Sequence, residues 1–450
     1  YKFVILEKLL SNQEFFLFTF VFYSSTDSKM LHINKIRENR DNYVALLKLK
    51  NIDASDLIDS VISLDDKRKL TQQNLEELLT QGNKLASQIG ELYKEKKIQE
   101  ADILKDKSLT IKDETKTLQK KLSEFEDKIR SILVQIPNIP HSSVQKGNTD
   151  LDNVIIKEAG IMPKLIAGAK PHWELASEYN LIDFELGNKI TGSGFPVYTN
   201  LGARLQRALI TYFLDKNIEA GYIEYLPPHL VNETSGFSTG NLPDKEGQMY
   251  HVQDDNLYLI PTAEVPVTNF FRNVIVKDFP IKCTAYTPCF RREAGSYGKD
   301  VRGLNRLHQF DKVEIVQIQH PEKSYATLDS MVSHVASIID DLELPYRIVK
   351  LCGGDLSFTA SLTFDFEVYS AGQKRWLEVS SVSNFESFQA NRLKLRYKNN
   401  QGKTHLCHTL NGSALALPRV YAAILENNQT LEGIKIPKVL QTYLGFDIIK

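Results

Sequence analysis

The feature that most constrains this chain is a pair of apolar seams between residues 54 and 136. One seam keeps a 4-3 spacing over residues 57–92, and the other keeps it over residues 104–136. Five seam positions are not large and apolar: Arg68, Thr71, Gly82, Ser108 and Thr115. A heptad repeat sustained this long is typical of a coiled coil. The short polar link at 94–100 requires the two helices to run antiparallel, and Pro137 and Pro140 predict the end of the second one.

Such a hairpin has to project from the rest of the protein. A helix of about 38 residues is roughly 57 Å long at 1.5 Å per residue. The hairpin's charges nearly cancel, because residues 65–130 carry fifteen Lys and Arg against fourteen Asp and Glu. Taken alone, the pattern leaves two interpretations open. The hairpin is either a solvated spacer or dimerisation rod, or an arm that contacts a long partner.

Overall composition excludes several classes of protein. The 450 residues hold 55 Lys and Arg against 56 Asp and Glu, so only a local basic patch can bind nucleic acid. The four cysteines show no CxxC spacing, which predicts a reducing, cytoplasmic location. His405, Cys407 and His408 are close in sequence, but a strand would point the two histidines to opposite faces, so no zinc is expected. No apolar run is long enough for a membrane helix, and no membrane partner is expected.

The first 29 residues differ in character from the rest of the chain. Residues 15–23 are rich in phenylalanine, yet no basic segment precedes them and no small-residue cleavage site comes after them. The first methionine is Met30. We therefore expect residues 1–29 to be an upstream extension outside the working protein, with a targeting segment as the alternative.

A polar boundary at residues 141–155 separates the hairpin from a region of mixed helices and strands. Helices are predicted over 201–217 and 324–342, and strands over 312–318 and 364–369. The strands are not followed one for one by crossover helices, which favours an antiparallel α+β sheet over a doubly wound one. Neither GxxxxGK[ST] nor GxGxxG after a strand is present, so P-loop and Rossmann phosphate sites are excluded.

The stretch from Phe290 to Glu314 is the most informative for chemistry. Two strand-like pieces flank a loop that holds three glycines and four cations: Arg292, Lys299, Arg302 and Arg306. Glycines allow a ligand to approach the backbone closely, and the planar fork of Arg291 suits an α-phosphate. Strand alternation places Glu293 on the same face as Arg291, and Phe310 can stack on a base. An exposed polar hairpin is the alternative interpretation.

This run resembles motif 2 of the class II aminoacyl-tRNA synthetases, and its detailed form resembles the seryl-tRNA synthetase family. Four further stretches resemble other motifs of the family and follow the family's order along the chain. They are Gly221-Tyr222 with Pro228 as motif 1, Thr262-Ala263-Glu264, Glu378 to Arg392, and Asn411 to Arg419 as motif 3. Ala414 and Ala416 stand where the class-wide motif 3 has glycine. The coiled-coil hairpin is also a hallmark of the seryl family, so the resemblance spans about residues 30–450.

The resemblance implies an α+β protein, with an N-terminal antiparallel coiled-coil hairpin followed by a class II antiparallel β-sheet domain flanked by helices. Residues 30–140 would form a tRNA-binding arm and residues 141–450 the catalytic domain. The implied enzyme is a homodimer through motif 1, which includes Pro228. It would activate serine with ATP to seryl-adenylate and then load the 3′ end of serine tRNA, and of selenocysteine tRNA where that is present.

The same resemblance implies a role for each motif residue. Arg291 and Arg419 are expected to be catalytic. Serine would be bound by six residues: Thr262, Ala263, Glu264, Glu314, Asn411 and Ser413. ATP would contact the two arginines and seven further residues: Arg292, Glu293, Phe310, Glu378, Val379, Ser380 and Ser381. Glu378 and Ser381 would hold Mg²⁺ against the phosphates, since Mg²⁺ favours oxygen ligands combined with substrate phosphate.

Two other functions compete with this one. A relative that loads a carrier protein in place of tRNA would be expected to lack the hairpin, which this chain has. A coiled-coil scaffold or an inactive paralogue would be expected to lose key motif residues. Arg291, Glu293, Glu378 and Arg419 are all present.

Overall fold

The computed structural model describes residues 33–244, 246–293 and 302–450. The expected upstream extension at 1–29 lies outside these residues, as do Gly295, Gly298 and Lys299 of the predicted phosphate-binding loop. Within the described part of the chain, no helix is both long enough and apolar enough to cross a membrane.

Two long helices confirm the predicted antiparallel hairpin. Helix α1 (Ile33–Glu38) and helix α2 (Arg40–Leu47) lead into α3 (Ser55–Lys94) and α4 (Ile98–Leu133), which are joined by residues 95–97. Every position of both predicted seams is at least partly shielded from solvent, including the five that are not large and apolar. A Cβ atom on Gly82 would lie 3.5 Å from Ile111 Cγ2. The glycine therefore sits at a close contact between the two helices.

The second helix ends earlier than the seam predicts. Its last residue is Leu133, and the chain then turns, with the Ile136 N–H donating to the Leu133 carbonyl at 3.3 Å. The reason is Pro137, because a residue that precedes proline is disfavoured in the helical region. Ile136 is still completely buried, in the apolar cluster at the base of the arm.

That basal cluster joins the arm to the second domain. Its buried members come mainly from α1 to α4 and include one residue of the second domain, Phe388. Lys50 strengthens the junction, since its buried Nζ donates to the carbonyl oxygens of Ser357 at 2.8 Å and Ala360 at 2.9 Å. Buried polar groups are costly unless they are paired, so these bonds fix the arm base against the 357–360 loop.

The second domain contains nine further described helices. They are α5 (His172–Glu178), α6 (Phe184–Ile190), α7 (Asn200–Glu219), α8 (Glu233–Thr239), α9 (Glu264–Asn269), α10 (Ser324–Asp341), α11 (Phe388–Leu393), α12 (Leu417–Asn427) and α13 (Lys438–Leu444).

Its described strands number nineteen. They are β1 (Val154–Ala159), β2 (Ile182–Asp183), β3 (Val197–Tyr198), β4 (Ile223–Glu224), β5 (Leu230–Asn232), β6 (His251–Val252), β7 (Leu257–Leu259), β8 (Ile275–Val276), β9 (Ile281–Phe290), β10 (Gln309–Gln319), β11 (Tyr346–Lys350), β12 (Leu362–Ser370), β13 (Arg375–Asn384), β14 (Arg396–Lys398), β15 (Thr404–Leu406), β16 (His408–Ala416), β17 (Gln429–Thr430), β18 (Gly433–Lys435) and β19 (Ile448–Ile449).

The central sheet has eight strands in the order β1-β11-β12-β13-β16-β10-β9-β4. Neighbours are antiparallel except for the edge pair β4 and β9, which confirms the predicted α+β class. Helices α7, α10 and α12 cover one face. Strand β10 shows the division between faces: Val313 and Ile315 enter the main core, whereas Val316 packs in a smaller cluster on the opposite face. Most of the predicted site residues lie on the side of that second face.

Candidate active site

Glu314 lies near the middle of the central sheet, at the junction of three strands. It pairs with Ala285 on β9 and with Ser413 on β16. Its side chain is 1% exposed, and Thr262 Oγ1 donates to its Oε2 at 3.0 Å. Lys312 Nζ lies 2.5 Å from the same oxygen. The buried carboxylate therefore has both a cationic and a hydroxyl partner.

A second buried carboxylate, that of Glu264, stands beside the first. Asn411 Nδ2 donates to both of them, at 2.9 Å to Glu264 Oε2 and at 3.1 Å to Glu314 Oε1. Gln389 Nε2 donates to the other oxygen of Glu264 at 2.7 Å. Burial, and then the nearby Glu314, raise the pKa of Glu264 to about 7. Two carboxylates that share one amide donor form a place that attracts a small cation.

Arg291 leaves the end of strand β9 and lies above the sheet. Its backbone N–H donates to the His308 carbonyl at 2.9 Å, which continues the β9–β10 pairing past Phe290. Its guanidinium carbon lies 5.3 Å from the centre of the Phe310 ring, and its Nε donates to the Pro261 carbonyl at 3.4 Å. The guanidinium is therefore held beside the predicted stacking ring.

Glu293 faces the same cavity as Arg291, but strand alternation is not the reason. Strand β9 ends at Phe290, and Glu293 adopts a φ of 48°. This turn brings its carboxylate 3.2 Å from the Nε of Arg306, which enters from the other end of the loop. The ion pair closes the loop at its base.

A bulge in strand β13 points Glu378 and Ser381 into the same cavity. Phe366 pairs with Ser380 but Glu367 pairs with Glu378, so β13 has one extra residue between these pairs. In a regular strand, residues three apart point to opposite faces. A bulge re-aims side chains in this way and is common near active sites.

Arg419 enters from the first turn of α12. Its Nη1 donates to the Glu378 carbonyl at 2.8 Å and lies 3.7 Å from Glu378 Oε2. Its Nε donates to the Asn305 carbonyl at 3.2 Å. These contacts join strand β13 to Asn305, at the end of the loop that resembles motif 2.

The resulting cavity has a volume of about 460 Å³ and gathers most of the predicted residues. Its lining includes twelve of them: Thr262, Glu264, Arg291, Glu293, Phe310, Glu378, Val379, Ser380, Ser381, Asn411, Ser413 and Arg419. Glu314 lies directly behind Thr262, its hydrogen-bond partner. Three predicted residues lie elsewhere. Arg292 is exposed, Ala263 is packed in the apolar cluster behind the site, and Pro228 lies on the surface next to strand β5.

Two family models match different parts of the chain. Residues 30–140 match the family described as seryl-tRNA synthetase N-terminal domain. Residues 250–428 match the tRNA synthetase class II core domain (G, H, P, S and T). A serine–tRNA ligase of Salinibacter ruber is 47% identical over 421 residues, which cover 93% of this chain and 98% of that protein. The chain belongs to the seryl-tRNA synthetase family.

Two solved structures of the seryl-tRNA synthetase family share the fold over most of the chain. The seryl-tRNA synthetase of Pyrococcus horikoshii, solved in complex with ATP, is 34% identical with a TM-score of 0.86. The alignment covers 93% of this chain and 99% of that one. The cytoplasmic serine–tRNA ligase of Naegleria fowleri, solved with AMP, is 26% identical with a TM-score of 0.81, covering 93% and 98%. This chain thus has both parts of the family's fold, the arm and the antiparallel catalytic sheet.

Several residues of this site are not among those that the sequence predicts. Lys312 pairs with Glu314, Gln389 holds Glu264, and Asn305 accepts from Arg419. Side-chain alternation along β10 could have predicted Lys312 as a site residue, because residues 310, 312 and 314 share one face. Gln389 and Asn305 come from a short helix and a loop, where no periodic pattern gives their direction.

Proposed function

We propose that this site activates serine with ATP and then transfers the seryl group to the 3′ end of serine tRNA. The observation that carries the proposal is the arrangement of opposite charges within one cavity. At one end, the buried carboxylates of Glu264 and Glu314 share the Asn411 amide. The guanidinium groups of Arg291 and Arg419 line the same cavity. An amino acid and a nucleotide triphosphate present the complementary pattern, an ammonium followed by a chain of phosphates.

Serine recognition would take place at the buried end of the cavity. The ammonium would be held by Glu264 and Glu314, and the hydroxyl by polar groups that include Thr262 and Ser413. The Thr262 hydroxyl already donates to Glu314, so both belong to one hydrogen-bonded cluster. A site built to pair a hydroxyl rejects an analogue without it, because the site's own polar atoms are then left unpaired. Alanine should accordingly be a very poor substrate.

Adenylate formation needs positioning and charge neutralisation more than a protein nucleophile. In the proposed role, Arg291 bridges the serine carboxylate and the α-phosphate, where negative charge develops. Phe310, 5.3 Å from the Arg291 guanidinium, would stack on adenine, and Glu293 would accept from the adenine amino group. Arg419 would neutralise the γ-phosphate. Arg292 is exposed and outside the cavity lining, so a part in ATP binding would require its side chain to turn inward.

The donor set fits a magnesium ion that arrives with ATP. Glu378 offers a carboxylate with a side chain that is 50% exposed, and the β13 bulge places Ser381 on the same wall of the cavity. Mg²⁺ is usually bound by one or two carboxylates together with substrate phosphates. The ion would supply charge neutralisation at the phosphates. Glu378 would also keep Arg419 in place through its backbone carbonyl.

The arm is proposed to bind tRNA, as the seryl family's N-terminal domain implies. Helices α3 and α4 pack mainly on each other beyond the basal cluster and leave their polar faces in solvent. Their charges are nearly balanced, so contact would rely on shape and on a few placed cations such as Lys94, Lys96 and Lys97.

A homodimer through motif 1 is proposed on the basis of exposed apolar side chains. Around Pro228, Ile223 is 59% exposed, Leu226 is 79% exposed and Leu230 is 41% exposed. Phe270, at 41%, adds to these exposed groups. Clustered exposed apolar groups mark interaction surfaces, and a two-fold contact would bury the same patch on both copies.

Serine-dependent exchange between ATP and labelled pyrophosphate is the test of the proposed function. The purified protein should catalyse exchange with serine and not with alanine or threonine, and should then charge a serine tRNA transcript. The Glu378→Gln variant is compared with the unmodified protein in the same exchange assay, because the substitution removes one negative charge while keeping the size of the side chain. Absence of exchange at millimolar serine and ATP would reject the proposal.

A further inference from the structure

A second and larger cavity lies at the far ends of the strands that carry the serine pocket. Its volume is about 1160 Å³. Strand β16 connects the two places, since Ser413 lines the first cavity and His408 lines the second. Five residues of strand separate them by roughly 17 Å at about 3.3 Å per residue. We call this second cavity the basal groove, because Asn34 and Lys35 of α1 form one of its walls, next to the base of the arm.

The basal groove is strongly basic in a protein whose total charge is nearly zero. Six cations line it: Lys35, Lys277, Lys394, Arg396, Lys398 and Lys403. Among its described lining residues, Glu322 is the only acid. In the parts of the chain that the structure describes, none of the six forms an ion pair within 4.0 Å. A concave surface lined by one sign of charge focuses its field and attracts the opposite charge.

Five rings lie among these cations, counting the three histidine side chains. Tyr397 is at their centre, with ring centroids 4.8 Å from His320, 5.6 Å from Phe279 and 5.7 Å from His405. Cations that track a phosphate backbone, combined with aromatic rings on which bases can stack, are the usual elements of a groove for nucleic acid. The chemistry therefore favours a polynucleotide over a single small anion.

We propose that the basal groove binds the phosphate backbone of the tRNA substrate at a place distinct from both the 3′ end and the arm tip. This inference rests on the proposed function, because it takes tRNA to be the substrate. The groove is concave and exceeds the usual volume of small-molecule pockets, about 300–1000 Å³, and a concave wall does not match a lipid bilayer. It also lies where α1 meets the catalytic domain, next to the base of the arm that is proposed to bind tRNA.

Charge reversal on the hairpin of β14 and β15 tests the inference. Lys398 and Lys403 are exposed and have no ion-pair partner in the described residues, so Lys398→Glu with Lys403→Glu should leave the fold intact. The matched control is Lys435→Glu with Lys438→Glu, two exposed lysines near the C-terminus and outside both cavities. Both proteins are compared with the unmodified chain in pyrophosphate exchange, in charging of a serine tRNA transcript, and in tRNA binding at several salt concentrations.

The groove variant should keep serine-dependent exchange within two-fold and lose tRNA affinity by about 10-fold or more at 0.1 M salt. The slope of log affinity against log salt should become shallower by about 1.4 to 1.8, since each lost phosphate contact removes about 0.7 to 0.9. The control should change neither quantity. Light scattering is run alongside, because a groove that binds a second copy of the chain would show as dissociation of the oligomer.

The outcomes separate the two proposals. If the unmodified protein shows no exchange, the proposed function fails. If exchange is normal and the groove variant binds and charges tRNA like the control, the basal groove is not a tRNA site. Loss of the oligomer with unchanged tRNA affinity, or groove-dependent binding to phosphatidylserine vesicles with unchanged tRNA affinity, overturns the inference as well.

Discussion

Replacing His172 with phenylalanine should damage ATP use although the histidine lies behind the cavity. The His172 and Glu426 side chains are both completely buried, and His172 Nδ1 donates to Glu426 Oε1 at 2.7 Å. The opposite ring nitrogen, Nε2, accepts the backbone N–H of Leu304 at 2.8 Å. Leu304 is followed by Asn305, whose carbonyl accepts from Arg419. The histidine therefore positions the end of the motif 2 loop against the motif 3 arginine.

The expected size of the effect can be worked out from these contacts. Phenylalanine keeps the shape of the ring but leaves the Leu304 N–H buried without an acceptor, which costs about 1–3 kcal/mol. Glu426 keeps other donors, among them the His172 backbone N–H at 2.9 Å and the Gly372 N–H at 3.1 Å. If the loop relaxes to satisfy Leu304, Arg419 loses its support. A loss of about 1.4–2.8 kcal/mol corresponds to about 10- to 100-fold in kcat/KM for exchange.

The assay is pyrophosphate exchange with serine and ATP varied separately, with thermal unfolding measured on the same samples. We expect the KM for ATP to rise more than the KM for serine in His172→Phe. His172→Gln, which keeps an acceptor for Leu304, should recover part of the loss. His334→Phe is the control, since His334 pairs with Asn217 at 2.7 Å between helices α10 and α7, outside the cavity lining. The positioning role is refuted if His172→Phe and His334→Phe lose exchange activity equally and each loss follows only the loss of thermal stability.

Four further predictions concern the site and the arm. Arg291→Ala should lower exchange by about 100-fold or more, because removing one such contact costs about 3 kcal/mol; a change within a few-fold contradicts the motif 2 assignment. Glu314→Gln and Thr262→Val should raise the KM for serine far more than that for ATP, and an equal rise would contradict this division. Because burial raises the pKa of Glu264 to about 7 and the carboxylate form binds the ammonium, the KM for serine should fall as pH rises through about 7 while the KM for ATP stays flat. Replacing residues 72–121 by a short turn should preserve exchange and abolish most tRNA charging, and unchanged charging would make the arm a spacer.

The arm could be predicted well from the sequence because its signal is periodic and local. The heptad spacing places every seam residue up to Ile132 on the shielded side of α3 or α4, including Arg68 and Thr71. The helix end is the part that periodicity misses. Ile136 continues the apolar spacing, but Pro137 stops the helix at Leu133.

The site is harder to predict, because its geometry depends on irregular backbone. Glu378 and Ser381 face one cavity only through the extra residue in β13. Glu293 faces it through a turn with positive φ, and the alternation used to place it ends at Phe290. His172 is not predicted at all, since a contact between residues 172 and 304 leaves no local pattern in the sequence.

The arm and the proposed serine pocket are connected by two short paths through the basal cluster. Phe388 belongs to that cluster, and the next residue, Gln389, holds Glu264. On the other side, Lys50 binds the carbonyl of Ser357, a residue that lines the cavity. A dense apolar cluster with a buried, hydrogen-bonded lysine resists bending, whereas two helices that contact mainly each other flex more easily. In the proposed function, movement of the arm on tRNA binding should therefore occur along α3 and α4 beyond the cluster, so that the proposed serine pocket keeps its shape while the tip adjusts.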